Sequence, residues 1–320
     1  MGIQMSVELS GLDPAYRDAR ERLAGGRLPE EPIPRRQYGR TGEELSIVGL
    51  GGMVVKDVRP EEASQYVAEA VDRGINYFDV APFYGNAQER LGPALKPYRR
   101  KCFLACKTLE RDAAGSAKEL EESLKLLQTD YFDLYQLHAL IEVEEVERAF
   151  GPGGAMETFE KARKAGKVRH IGFSAHSEEA AHAALDRFDF DSVLFPLSFP
   201  TWIKGQFGPS VHKRAKEAGK GILALKAMAH QSWPKAVKES ERLWQKAWYE
   251  PFDQIDVAAL GLRFTLHLPV TAMIPPGHWE LFRMALGLAQ AGALTPLNEN
   301  EQRIVEEIAR KSDPIFPIHE

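Results

Sequence analysis

Four polar residues between Asp79 and His138 sit where they could together hand a proton to a carbonyl oxygen. Phe78-Asp79-Val80-Ala81-Pro82-Phe83-Tyr84-Gly85-Asn86 reads as a short apolar strand ending in a carboxylate, then a turn carrying a phenol. A turn rich in Gly and Asn cannot bury itself, so Tyr84 is expected at the mouth of whatever the strands enclose. A phenol can protonate a developing alkoxide if its pKa is brought down from about 10, and a buried lysine would do so. Lys107 ends a later strand, alternating with Phe103 and Ala105 and opposite in phase to Cys102 and Cys106. His138 ends the next strand, in phase with Leu134 and Gln136. Taken singly, a strand-end Asp caps a helix and a lone His is a satisfied side chain. An inward Lys is different, because a buried ammonium needs a carboxylate. Four such residues in consecutive strand-end positions point to a site.

The elements that position them repeat one junction: a helix end, a glycine, then a strand. It occurs at Gly74, Gly166 and Gly219. Glycine supplies the left-handed conformation that stops a helix and turns the chain back. Ala63, Tyr66, Val67, Ala70 and Val71 form one helical face, and Ser116 with Glu119 makes a capping box ahead of Leu120, Leu124 and Leu127. Strands are expected near 45–49, 77–80, 102–107, 132–138, 170–174, 192–197, 221–226 and 270–274. Strands alternating with helices in this way close into a (β/α)8 TIM barrel, with a doubly wound sheet as the rival. The glycine-rich turn Gly49-Leu50-Gly51-Gly52-Met53 lacks the GxGxxG spacing of a dinucleotide fingerprint, which favours the barrel. The barrel domain is expected over 35–320. Residues 1–34 form an N-terminal extension and linker, with a helix capped by Asp13 and Pro14 and stopped at Gly25-Gly26. A long loop after strand seven, 227–252, carries Trp233, Trp244, Trp248 and Tyr249 and is expected to cover the barrel mouth.

The chain has 320 residues, 44% of them apolar, enough for one large core. Its net charge of −5 is dispersed, which argues against a nucleic-acid partner. There is no apolar run of about 18 residues and no basic-then-apolar leader, so no membrane span is expected and the cytoplasm is the expected location. The two cysteines, Cys102 and Cys106, lie about 13 Å apart in an extended strand, too far to bridge, and no histidine spacing suggests a metal site.

These motifs, in this order, resemble the aldo-keto reductase family over about 35–310. Arg40-Thr41-Gly42 with Leu45-Ser46 and Gly49-Leu50-Gly51-Gly52 resembles its opening hairpin and first strand. The segment from Asp79 to Gly92 resembles its signature, Lys107-Thr108 its lysine strand, Leu137-His138 its histidine strand and Gly172-Phe173-Ser174 its fifth strand. The resemblance implies NAD(P)H-dependent reduction of an aldehyde or ketone, with NADPH as the family default and NADH an alternative. Tyr84 would be the general acid, Lys107 paired with Asp79 would lower its pKa, and His138 would orient the carbonyl. The cofactor would lie against Gly52, Met53, Asp79, Ser174, Lys226, Pro275, Gly277 and Arg283, and the substrate against Phe83 and Trp202. No metal is implied, and the partner is a small carbonyl compound. The oligomeric state does not follow from these residues.

The resemblance weakens at the nicotinamide positions. Ser174 is followed by Ala175-His176 where the family has Ser-Asn. Leu194 stands where it carries Gln, and Leu225 where it stacks an aromatic ring. After strand eight the run Ile274 to Arg283 is shortened, leaving Arg283, His278 or Lys226 to meet a 2′-phosphate. Two rival readings follow. One is a non-catalytic, nucleotide-sensing or regulatory subunit on the same barrel. The other is a barrel hydrolase or aldolase using Lys107 as a Schiff base.

Overall fold

The computed structural model describes residues 31–292 and 294–316, so the helix expected within the N-terminal extension lies outside them. Eight parallel strands are ordered by sequence neighbour: β3 (Leu50–Gly51), β4 (Tyr77–Asp79), β5 (Phe103–Thr108), β6 (Phe132–Leu140), β7 (Val168–Ala175), β8 (Ser192–Pro196), β9 (Gly221–Leu225) and β12 (Ala272–Ile274). Val48 bridges Met273 in parallel, and Met273 exchanges backbone hydrogen bonds with Ile47 and Gly49 at 2.9 Å each. That seam joins the last strand to the first, and the chain is a (β/α)8 barrel.

The first strand lies slightly later than the alternation predicts. Residues 44–46 form β2 (Glu44–Ser46), paired antiparallel with β1 (Arg35–Gln37). Asn76 bonds their other edge: its Oδ1 accepts from Ser46 N–H at 2.7 Å and its Nδ2 donates to the Glu44 carbonyl at 2.8 Å. With both backbone edges engaged, barrel pairing begins only at Val48. The β1–β2 hairpin closes the N-terminal end of the barrel. Tyr38, fully buried, sits edge-on to Phe103 at 5.1 Å and joins Leu45, Tyr77, Leu134, Leu194 and Leu223 in the barrel interior. A side chain at Gly221 would strike the Tyr38 ring at 2.5 Å, so the plug fits only against glycine there. With Tyr38 plugging this end, the strand ends that carry polar side chains face the C-terminal end of the barrel.

A second core lies between barrel and helices. The Pro60–Asp72 helix buries Ala63, Val67 and Ala70, the face read from its periodicity. The long loop after β9 folds back as an antiparallel pair, β10 (Ala229–Ser232) with β11 (Tyr249–Pro251). Between these strands the chain crosses the mouth. Lys246 Nζ donates to the Val54 and Lys56 carbonyls at 3.3 and 2.6 Å, and Lys246 N–H donates to His278 Nε2 at 3.0 Å. The loop is thus a strap fastened to the connections that follow β3 and β12. No helix of the described residues is long and apolar enough to cross a membrane.

Candidate active site

Asp79, Lys107 and His138 stand at the ends of three adjacent strands, and register explains their meeting. Asp79 pairs with Ala105 and Lys107 with Gln136, so both inward side chains reach one level of the barrel. Lys107 Nζ donates to Asp79 Oδ1 and, at 3.4 Å, to the Val80 carbonyl. Both side chains are almost wholly buried, at 1% and 3% exposure. The other oxygen of Asp79 accepts from Tyr77 Oη and Gln136 Nε2, each at 3.3 Å. These two supporting residues were missed in the sequence, although Gln136 shares His138's inward phase and is Lys107's register partner.

Tyr84 is half-buried in the turn after β4, where its N–H donates to the Ala81 carbonyl at 3.1 Å. Asn86 anchors the turn, its side chain accepting from Asp57 N–H at 2.9 Å, just before the Ala87–Leu95 helix begins. Lys107 Nζ lies 5.5 Å from the Tyr84 ring centre, and the His138 ring stands edge-on to Tyr84 at 5.8 Å. The electrostatics depart from expectation. Burial pushes the Tyr84 phenol above its usual 10. Lys107, through charge and hydrogen bonding, only partly offsets it, while Asp79 adds to the rise. Lys107, paired with Asp79, was expected to depress the phenol; it acts in that direction, but burial outweighs it. Burial alone would favour neutral Lys107, but Asp79 and Tyr84 together hold its pKa above 10.5.

His138 is neutral. Burial, then the ammonium of Lys107 and smaller contributions from His176, Arg111 and Lys226, push its pKa down to about 2. Among the described residues, nothing hydrogen-bonds its buried Nδ1. A phenol and a neutral imidazole side by side over a buried ammonium can hydrogen-bond one oxygen and carry negative charge as it forms there.

The positions considered for a cofactor divide. Ser174, buried at the end of β7, accepts from Ala139 N–H at 2.7 Å through Oγ, which leaves its own proton free to donate. Lys226 follows β9 with a left-handed φ of 64°, its Nζ 3.3 Å from His176 Nε2. Gly52 and Gly277 are packed rather than open. A Cβ on Gly52 would meet Val80 at 2.6 Å, and one on Gly277 would meet the Cβ of half-buried Met53 at 2.3 Å. Pro275 is buried beside them. Arg283 points to the outer helices, where Nε pairs with Glu69 at 3.0 Å. Of the two substrate candidates, Phe83 is exposed on the rim. Trp202 instead packs edge-on to His212 and Phe264 among the outer helices. Leu194 and Leu225 line the barrel interior. Among the described residues, no cluster of three or more His, Cys, Asp or Glu could hold a metal.

Comparison with known proteins bears on this geometry. The sequence profile described as the Aldo/keto reductase family matches residues 47–314. Aldo-keto reductase YhdN of Bacillus subtilis is 37% identical over 161 residues, 43% of this chain and 46% of that protein. L-galactose dehydrogenase of Arabidopsis thaliana is 30% identical over 182 residues, 52% of this chain and 56% of that one. The chain thus spans about half the length of the curated relatives it matches. Among solved structures, the holo form of an aldo-keto reductase from Bacillus halodurans superposes with a TM-score of 0.68 at 22% identity, over 88% of this chain and 98% of that one. This chain belongs to the aldo-keto reductase family of oxidoreductases.

Proposed function

We propose that this chain is a NAD(P)H-dependent carbonyl reductase, converting an aldehyde or ketone to an alcohol, with Tyr84 as the proton donor. The observation that carries the reading is the buried Lys107–Asp79 pair beneath Tyr84, with neutral His138 alongside. Bound nicotinamide would supply the hydride. The chain's own residues do the rest. His138 hydrogen-bonds and orients the carbonyl oxygen, Tyr84 gives that oxygen its proton, and Lys107 stabilises the phenolate left behind. Asp79, Tyr77 and Gln136 keep Lys107 charged and in place.

The fit to a dinucleotide differs along the site. At the reacting end, the spare Ser174 proton suits a carboxamide, and Lys226 offers an amine. At the far end, Arg283 is drawn to Glu69. We therefore infer no strong preference for the 2′-phosphate of NADPH over NADH. The rim offers Phe83, Leu109, Ile141 and Trp248, all exposed, to an apolar part of the substrate.

The test is titration with NADPH and NADH followed by intrinsic fluorescence, then absorbance at the reduced-cofactor band with a panel of aldehydes. Binding plus turnover that falls in Tyr84→Phe supports the reductase. Tight binding with no turnover of any carbonyl favours the nucleotide-sensing subunit. Absence of binding of either cofactor below millimolar concentration overturns both.

A further inference from the structure

The barrel mouth holds a second lysine whose surroundings invert those of Lys107. Lys226 is buried at the end of β9 and, among the described residues, no carboxylate pairs with it. Its polar partner is an imidazole, His176 Nε2 at 3.3 Å, and its Nζ lies 5.5 Å from the ring centres of both Trp248 and Phe316. Trp248 comes from the strap. Phe316 comes from the C-terminal tail, where it also packs on Phe207 and His176. The backbone at Lys226 is held left-handed, a conformation that a non-glycine residue keeps only when its surroundings require it.

The electrostatic count around the mouth is one-sided. Asp79 is spent on Lys107, and Glu145 on Arg111 at 3.0 Å. Lys226 and His176 face each other at 3.3 Å with no carboxylate between them among the described residues, and both add, after burial and Lys107, to the lowering of the His138 pKa. Burial brings the Lys226 amine down to about 7 and the His176 ring to about 3. A buried amine with no internal counter-ion is unfavourable when charged, unless a ligand brings the anion. Because the pair's field is felt at His138, that anion would lie close to the reacting carbonyl, not out among the helices around Arg283.

We propose that Lys226 and His176 form an oxyanion subsite for the substrate, so that the preferred carbonyl compounds carry a carboxylate a few bonds from the reacting carbon. This rests on the reductase reading for its catalytic consequence, but not for its binding consequence. An oxyanion could also come from a cofactor phosphate, and the experiment separates the two sources.

In the cofactor-free protein, succinic semialdehyde and butanal are titrated against the emission of Trp248, with Trp248→Phe as the assignment control. Saturable quenching by succinic semialdehyde, at least tenfold tighter than by butanal and at least tenfold weaker in Lys226→Met, is the expected result. Equal responses to the two aldehydes, or an unchanged response in the variant, overturn the proposal even if the protein proves to be a reductase. With NADPH present, the ratio of kcat/KM for succinic semialdehyde to that for butanal is expected to fall at least tenfold in Lys226→Met and to recover partly in Lys226→Arg. If the ratio holds while the KM for NADPH rises, the anion is the cofactor's and the substrate subsite is refuted.

Discussion

Replacing Lys226 with Met should make this protein more stable, which is unusual for a buried position at a barrel mouth. The amine ordinarily titrates at 10.5 and is brought by burial to about 7. At about 1.4 kcal/mol per tenfold change in proton affinity, that difference is about 5 kcal/mol of destabilisation at neutral pH as an upper figure. Methionine fills a similar volume, suits the rings of Trp248 and Phe316, and leaves the left-handed backbone as strained as before. A gain of about 2–5 kcal/mol is expected, on the order of 5–10 °C in Tm for a domain of this size. The sign of its pH dependence follows from linkage. The folded value lies below the unfolded one, so between about 7 and 10.5 the unfolded chain binds a proton that the folded chain does not. Wild-type stability from this residue therefore rises across that window, whereas the variant has no such slope. Equilibrium urea unfolding followed by circular dichroism at pH 6.5, 8 and 10 measures both curves. The advantage of the variant should be full near pH 6.5 and nearly closed by pH 10. A destabilised variant, or an advantage independent of pH, would refute the claim that Lys226 is a buried amine without a counter-ion.

The same substitution at Lys107 should act in the opposite sense, since it strands a buried carboxylate. Lys107→Met is expected to lose about 3–5 kcal/mol, and the double variant Asp79→Asn/Lys107→Met to regain most of it in a urea double-mutant cycle without regaining activity. Because the Lys107 value is raised above 10.5, its share of wild-type stability should persist to about that pH and be lost only above it, which alkaline unfolding scans check. Tyr84→Phe should lower kcat by about 10²–10⁴ while leaving cofactor affinity within about twofold, as read by stopped-flow turnover and fluorescence titration. Gly277→Ala places a Cβ 2.3 Å from that of Met53 and should cost about 1–3 kcal/mol by thermal unfolding, displacing the two loops that carry them.

How far the sequence was legible depended on how local each cause is. The strands and their order were readable because glycine stops and two-residue alternation are encoded within a few positions, as at Gly166 before β7. Asp79, Lys107 and His138 were readable because their phase along each strand settles which way they face. What failed to read is set across the fold. The Tyr84 phenol rises because burial outweighs Lys107, and burial belongs to the assembled mouth. Arg283 finds Glu69, which is 214 positions away, and Trp202 finds His212 and Phe264. The start of the barrel was misplaced because Asn76, not the strand's own pattern, takes the backbone of residues 44–46. Lys226 is the hardest case, since the lack of a carboxylate beside it among the described residues has no local signature.

These residues divide the mouth into two halves along the sheet. Asp79, Lys107, Gln136 and His138 belong to β4, β5 and β6, and here the resemblance to the family is intact. The departures, His176, Leu194, Leu225 and Lys226, fall on β7, β8 and β9 or just after them. Register places them side by side: Ser174 is opposite Leu194, and Pro196 opposite Leu225. Where the resemblance leads one to expect a polar and an aromatic residue, this sector carries two apolar ones beside an amine and an imidazole. The shortened run after β12 borders the same side of the mouth, since β12 pairs with β9. The simplest physical account is that one half keeps the proton chemistry while the other half has changed what is held. Variants should then separate kinetically. Changes on β4 to β6 should act mainly on kcat, because their contacts strengthen only as charge develops on the carbonyl oxygen. Lys226→Met and His176→Gln should act mainly on the KM for a carboxylate-bearing aldehyde, because they remove contacts made equally before and during the reaction. Steady-state kinetics on the two sets decide the matter, and β9 variants that lower kcat alone would show that the mouth does not divide in this way.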